Sequence, residues 1–386
     1  MAAPLVLAPL ANTSPSIAEE MNICALRAGF ASRSESKAWV LHDPRLWLGT
    51  ALHAILERAR HGRIGPDVEA AWDDEILHFV HQASAHPFDR RFADPTRWPS
   101  YFLVKHRAMS AAAELVRGAL ASPACVGGQK RAAQAGTERR LVARNGRLVG
   151  RPDRFDRSSV TDFKSNLPDT ASPIGAEILR RNQRQIKIYA AMIAETMHYW
   201  PSKGVIAAAS GASISFDLSP AECNAEADKT ICDLDAWNGA LVTVQRAVDI
   251  ADPSASACHN CCFQLVCPAF WDWISKGRAV SMPGAAPAAT GILTSVQLGN
   301  DGDLQTLHFS NIAATQPMNT ELNLVTRRSI HGDFPPEVVG SECRITGASL
   351  RSDGRMRADY STLLMPTSEI PQVTMQMDTT ASVEPG

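Results

Sequence analysis

Residues 150–164 read Gly-Arg-Pro-Asp-Arg-Phe-Asp-Arg-Ser-Ser-Val-Thr-Asp-Phe-Lys. The last six contain β-branched Val160 and Thr161 and follow turn residues, which predicts a strand over 159–164. Side chains alternate along a strand, so Asp162 and Lys164 point to one side. Asp153 lies nine residues upstream, on a neighbouring strand of a meander, and can converge on the same point. Two carboxylates on one edge make a hard-oxygen site for Mg²⁺ or Mn²⁺. A lysine beside them can orient or deprotonate a water and steady the charge that develops on phosphorus. That equipment hydrolyses a phosphodiester. Asp-x-Lys alone is a common tripeptide of exposed strand pairs, so its surroundings carry the argument.

Upstream, Asn145-Gly146 separates runs 137–144 and 147–155 and signals a hairpin. Downstream, a helix is expected over 176–197, with Arg181, Gln185 and Tyr189 at i, i+4 and i+8 on one face. Strands near 203–209 and 213–217 and a helix over 219–249 complete a small α/β core with a mixed sheet. The N-terminal third reads as α, with helices over 45–60, from Pro66-Asp67 through Val80, and over 99–120. After Ser281-Met-Pro-Gly, residues 292–365 show short alternating runs between Gly, Pro and Asp turns. This suggests a small all-β domain of about five strands. An oligonucleotide-binding barrel and a structural or protein-binding module are equally open, because only Phe309, Phe334 and Tyr360 supply aromatic rings. The expected organisation is a segment 1–30, a catalytic domain 31–276, a linker 277–290, a β domain 291–366 and a disordered tail 367–386.

The chain of 386 residues is 45% hydrophobic and 20% charged. Wholesale disorder is excluded, and no apolar run approaches the about 18–20 residues that span a bilayer. No membrane partner is expected. The first residues lack a basic stretch, which argues against a secretory signal and for the cytoplasm. The net charge of −2 argues against a nucleic-acid ligand, but residues 131–190 hold 13 Lys/Arg against 6 Asp/Glu. Read by segment, the excess of +7 suits a polyphosphate substrate.

Four of the nine cysteines crowd into ten positions. Cys258, Cys261 and Cys267 form C-x2-C-x5-C, which admits zinc or an iron–sulfur cluster. A fourth ligand must come from elsewhere in the chain, or from Cys262 or His259. Cys125, Cys223, Cys232 and Cys343 stand alone and read as free thiols.

Taken together, Gly150-Arg-Pro-Asp153-Arg154, Asp162-Phe-Lys164 and Gln185-Ile-Lys-Ile-Tyr189 resemble the PD-(D/E)XK nucleases of the RecB type. Gly49-Thr-Ala-Leu-His53 is similar to that family's Gly-x-x-x-His helix, and Glu138 sits where many members carry an acid. The resemblance, over about residues 15–275, implies a restriction-endonuclease-like core of mixed sheet and helices. It implies metal ligation by His53, Asp153, Asp162 and the Phe163 carbonyl, with Lys164, Gln185 and Tyr189 completing the catalytic set. Arg154, Arg181 and Arg184 would contact DNA. The AddB-like subgroup, which includes nucleases of CRISPR adaptation, holds a [4Fe–4S] cluster on one cysteine before the core and three after it. Cys24 matches the first position, with Ala in place of the usual Pro after it, and Cys258, Cys261 and Cys267 match the trio. Exonuclease action on single-stranded DNA or ends is implied. No phosphate-binding Gly-x-x-x-x-Gly-Lys loop is present, so a helicase or defence-system subunit would be a separate partner. The other class of reading is a DNA-binding or scaffold subunit of a larger complex.

Overall fold

A computed structural model describes residues 3–64, 67–121, 136–137, 139–164, 167–208, 212–259, 261–277, 287–315, 321–351 and 355–376. The first part contains β1 (Leu5–Leu7), α1 (Pro15–Ile23), α2 (Ala25–Ala31), α3 (Ser34–Lys37), α4 (Pro44–Arg60), α5 (Val68–Ala85) and α6 (Tyr101–Ala121). Local chemistry sets the helix starts. Ser14 and Asp43 each precede a proline and accept a backbone N–H in the first turn, and Asp67 accepts from the Ala70 amide. α4, α5 and α6 bury Trp47, Trp72, Trp98 and Tyr101 in a core of their own. The three helices expected here are present.

The second part runs β2 (Gly136–Thr137), β3 (Leu141–Ala143), β4 (Leu148–Gly150), β5 (Arg154–Phe155), β6 (Ser159–Lys164), α7 (Pro173–Met197), β7 (Lys203–Ala208), β8 (Ser213–Asp217) and α8 (Pro220–Thr243). Five strands form one mixed sheet in the order β2-β5-β6-β7-β8, in which β6 and β7 are parallel and the other pairs antiparallel. β6 is the central strand. α7 covers the sheet with Ile186, Tyr189, Ala190 and Ile193. The Asn145-Gly146 hairpin forms, with positive φ at Arg144, Asn145 and Gly146. It departs from the expected meander, because β3 and β4 make a separate two-stranded ribbon. The other edge of β4 is taken by the segment ahead of α1, through Thr13 N to Arg147 O and Val149 N to Thr13 O, each 2.9 Å. The last helix also stops earlier than expected. Thr243 and Val244, both β-branched, end α8, and Ala247–Ile250 forms a 3₁₀ turn.

α9 (Ala255–Cys258) and α10 (Pro268–Ser275) flank the cysteine cluster. The third part contains β9 (Ala289–Leu298), β10 (Leu304–Ala314), β11 (Glu321–Arg327), α11 (Arg328–His331), β12 (Glu342–Thr346), β13 (Ser349–Leu350), β14 (Met356–Arg357), β15 (Leu363–Pro366) and β16 (Val373–Met375). The all-β domain is present, but its sheet has seven strands in the order β13-β14-β11-β10-β9-β12-β15. The two-residue strands β13 and β14 extend one edge, and β14 pairs parallel to β11. β13 and β15 lie at opposite edges and are not paired to each other among the described residues. The tail also differs from expectation over 367–376. Ile370 is buried, and β16 pairs parallel with β1, in register Leu5–Val373 to Leu7–Met375. Val373 and Met375 supply apolar alternation to an otherwise unpaired strand. Of the expected linker, residues 278–286 lie outside the described residues, as do Glu138, Cys125 and residues 377–386.

Candidate active site

The antiparallel register of β5 and β6 pairs Arg154 with Thr161. One step further, Asp153 comes opposite Asp162, and its Oδ2 accepts the Phe163 N–H at 2.6 Å. Asp162 is buried, at 4% exposure, in the middle of the sheet. Lys164, two residues on, brings its Nζ to 2.8 Å from Asp162 Oδ2. The two form an ion pair, and the Lys164 ammonium is the partner of that buried oxygen. Burial pushes the Asp162 carboxyl above its ordinary range. The pull of Lys164 opposes this, and the nearby Asp153 charge adds to it.

α7 supplies the next layer. Lys164 Nζ donates to Gln185 Oε1 at 3.4 Å, and Gln185 Nε2 donates to the Tyr189 hydroxyl at 3.5 Å. Tyr189 is buried, and burial raises its phenol, with Asp162 and Asp153 adding to the shift. Gly150 makes this approach possible. A Cβ there would stand 2.7 Å from Tyr189 Cε1. From the opposite side α4 brings the His53 ring to 5.1 Å from the Phe163 ring. Thus Asp153, Asp162, Lys164, Gln185 and Tyr189 gather around one stretch of β6, while His53 packs on the Phe163 ring, which alternation places on the other face of the strand. Gly49, by contrast, has open space where a Cβ would be.

The arginines divide. Arg154 is exposed at the edge of β5, with Arg139, Arg140 and Arg151 also exposed. Arg184 is not available as expected. Its guanidinium reaches Asp233 and Glu226 at 3.0 Å and Glu19 at 3.4 Å, which ties α7 to α8 and α1. Arg181 pairs with Glu19 and Glu177, each at 3.1 Å. Arg144, Arg147 and Lys187 are likewise paired, with Glu195, Asp235 and Glu222. Much of the linear +7 excess is therefore neutralised by acids distant in sequence.

The cysteines also converge. Cys24 separates α1 from α2, Cys258 ends α9, and Cys267 caps α10. Together with Cys261 they line one small cavity, closed by Phe30, Phe270 and Arg27. Cys262 and His259 instead line a separate, open cleft. Burial raises the thiols of Cys258 and Cys261 and lifts Cys267 to about 12. Buried thiols of this kind ionise readily only against a metal cation.

The family model described as PD-(D/E)XK nuclease superfamily matches residues 12–268. The chain belongs to the PD-(D/E)XK nuclease superfamily. It is in general terms a metal-dependent nuclease. A search of curated proteins returns no match. The matched span runs from Asn12 to Pro268 and so contains the PD-(D/E)XK site, α4 with His53, and all four cavity cysteines. The β domain lies outside it. No helix among the described residues is long and apolar enough to cross a membrane.

Proposed function

We propose that the chain is a Mg²⁺- or Mn²⁺-dependent deoxyribonuclease that degrades single-stranded DNA or DNA ends as an exonuclease. The observation that carries this reading is the buried Asp162 carboxylate, which stands beside the Asp153 carboxylate and the Lys164 ammonium. His53, Asp153, Asp162 and the Phe163 carbonyl would hold the ion. When bound, the ion polarises the scissile phosphate and makes a hydroxide accessible near neutral pH. Lys164 orients the attacking water through its free N–H positions and opposes the charge that develops on the phosphoryl oxygens. Gln185 and Tyr189 fix the Lys164 ammonium and hold the strand. Arg154 steadies a phosphate from the edge of β5. Repair, recombination or anti-phage defence are the settings in which such chemistry is used, with a separate helicase or defence subunit as partner.

The cysteine quartet is proposed to hold a [4Fe–4S] cluster. The support for this is that one cysteine from before the core and three from after it line a single small cavity. Anaerobically purified protein is expected to be brown and to absorb near about 400 nm. A colourless protein with one zinc per chain in the cysteine cavity would overturn the cluster.

Labelled single-stranded DNA with Mg²⁺ or Mn²⁺ tests the activity. Asp162→Ala is expected to slow cleavage at least about 10²-fold. Equal cutting by the variant, or none by the wild type under either metal, would leave a DNA-binding or scaffold subunit as the reading.

A further inference from the structure

We propose that His42, His86 and Asp89 form a second metal site, of the kind that takes Zn²⁺, at the junction of the helical part and the β domain. His42 lies in the extended segment before α4, His86 caps the C-terminus of α5, and Asp89 opens the 3₁₀ turn Asp89–Phe92. Asp89 Oδ2 is 2.6 Å from His42 Nδ1 and 3.3 Å from His86 Nδ1. Metal–nitrogen and metal–oxygen bonds of about 2.0–2.1 Å give a tetrahedral edge of about 3.3 Å. The His86 edge has that length. The shorter His42 edge is that of a hydrogen bond, with a proton where the ion would sit.

The tautomer of His86 strengthens the case. Its Nε2 lies 3.0 Å from the Lys37 carbonyl, which can only accept, so Nε2 carries the proton. A histidine that ligates a metal is usually oriented in this way, through its far N–H. Nδ1 is then the acceptor: the Phe88 and Asp89 amides donate to it at 3.3 Å each, and Asp89 Oδ2 lies at the same distance. Those amide bonds are long, and an ion held by Nδ1 and Oδ2 together would replace them and offset the repulsion of two acceptors 3.3 Å apart. The carboxylate is almost fully buried, at 3% side-chain exposure, and its other oxygen is fixed by the His42 amide at 3.0 Å. The neighbouring Arg91 does not neutralise it by hydrogen bonding. Its N–H groups go to the carbonyls of Phe88, Tyr360 and Thr362.

Two imidazoles and one carboxylate select a borderline transition ion over Mg²⁺ or Ca²⁺, which take oxygen ligands. His42 also lines the open cleft shared with Tyr360 and Thr346, which gives an entry path. Bound there, the ion joins the approach to α4, the end of α5 and the turn whose Arg91 grips the β domain. The site is separate from Asp153, just ahead of β5, and Asp162 on β6.

The test uses the full chain carrying Asp153→Asn and Asp162→Asn, purified anaerobically, and zinc alone as probe. Zinc per chain is measured after competition with a chromophoric chelator, and the ligands by X-ray absorption at the zinc edge. One zinc is expected in a nitrogen and oxygen shell that includes imidazole. Adding Asp89→Asn, which keeps the shape and the His42 contact, is expected to weaken binding at least about tenfold, and His86→Ala to remove it. Zinc should raise the Tm of the parent and not of the Asp89→Asn protein. Equal zinc in parent and Asp89→Asn protein, a sulfur-only shell, or no zinc bound by the parent would each overturn the proposal. If His86→Ala fails to fold, the absorption spectrum of the parent decides.

Discussion

Asp162 carries its charge in a place that opposes it. Burial lifts its folded-state pKa above the unfolded value, so ionising it costs folding free energy. In metal-free protein that cost is absent below the ordinary carboxylate range and grows as pH rises through the raised pKa. Asp162→Asn is therefore expected to be more stable than the metal-free wild type at about pH 7, and equally stable near about pH 3. Urea unfolding in chelator at both pH values checks this; equal stability at neutral pH would count against it. Gly150 has the opposite problem, one of space. Gly150→Ala should cost about 1–3 kcal/mol by urea unfolding, since its Cβ would enter the Tyr189 ring. It should also lower cleavage by displacing that ring. At this scale Asp162, Lys164 and Asp153 were legible, because strand period and antiparallel register are properties of neighbouring residues. The fate of Arg184 was not. Its partners Glu19, Glu226 and Asp233 lie on two other helices, and no local spacing brings them together. His42, His86 and Asp89 were missed for the same reason, being 44 and 3 residues apart with no motif to join them.

The helix α7 shows how an element is placed for chemistry. Ser172 caps it by accepting the Gly175 N–H at 3.0 Å, Pro173 follows, and His198 ends it in the left-handed region. Gln185 and Tyr189 then fall on the turns that face β6. The first turn tolerates no side chain at Gly175, where a Cβ would stand 1.9 Å from the Asp169 carbonyl oxygen. Gly175→Ala is expected to cost about 3 kcal/mol and to misplace Gln185 and Tyr189. A Tm drop together with lost cleavage would support this, and a variant with wild-type Tm would refute it. Helix starts were readable within about three residues, since caps are local signals, whereas the ends of α5 and α8 lay five and six residues from the expected positions. The hairpin at Asn145-Gly146 was readable too, but not its exclusion from the main sheet. That depends on Thr13, which arrives from more than a hundred residues away.

Over the whole molecule, distant segments hold one another. A cluster held by the cavity cysteines would join residue 24 to residue 258, and a link across more than two hundred residues is worth on the order of 5 kcal/mol. Cys24→Ser and Cys258→Ser are each expected to lose iron and to lower the Tm sharply. Cys262→Ser, on the outer cleft, should retain both. Iron content and calorimetry measure the two effects, and an iron-replete Cys24→Ser protein would remove the first cysteine from the set. The convergence of these cysteines was readable only through family resemblance, and the seven-stranded order of the β domain was not readable at all. Short strands carry little register information, and bulges such as those at Phe309 and Ala313 shift it further. The pairing of β1 with β16 has a consequence in time. Leu5 is made about 370 residues before Val373. At about 5–20 residues per second, the first strand waits roughly 20–70 s for its partner. Through that interval three residues of apolar edge are open to any other strand in the cell. Newly made chains, more than finished ones, are where this protein is exposed to mispairing and where a chaperone would earn its place.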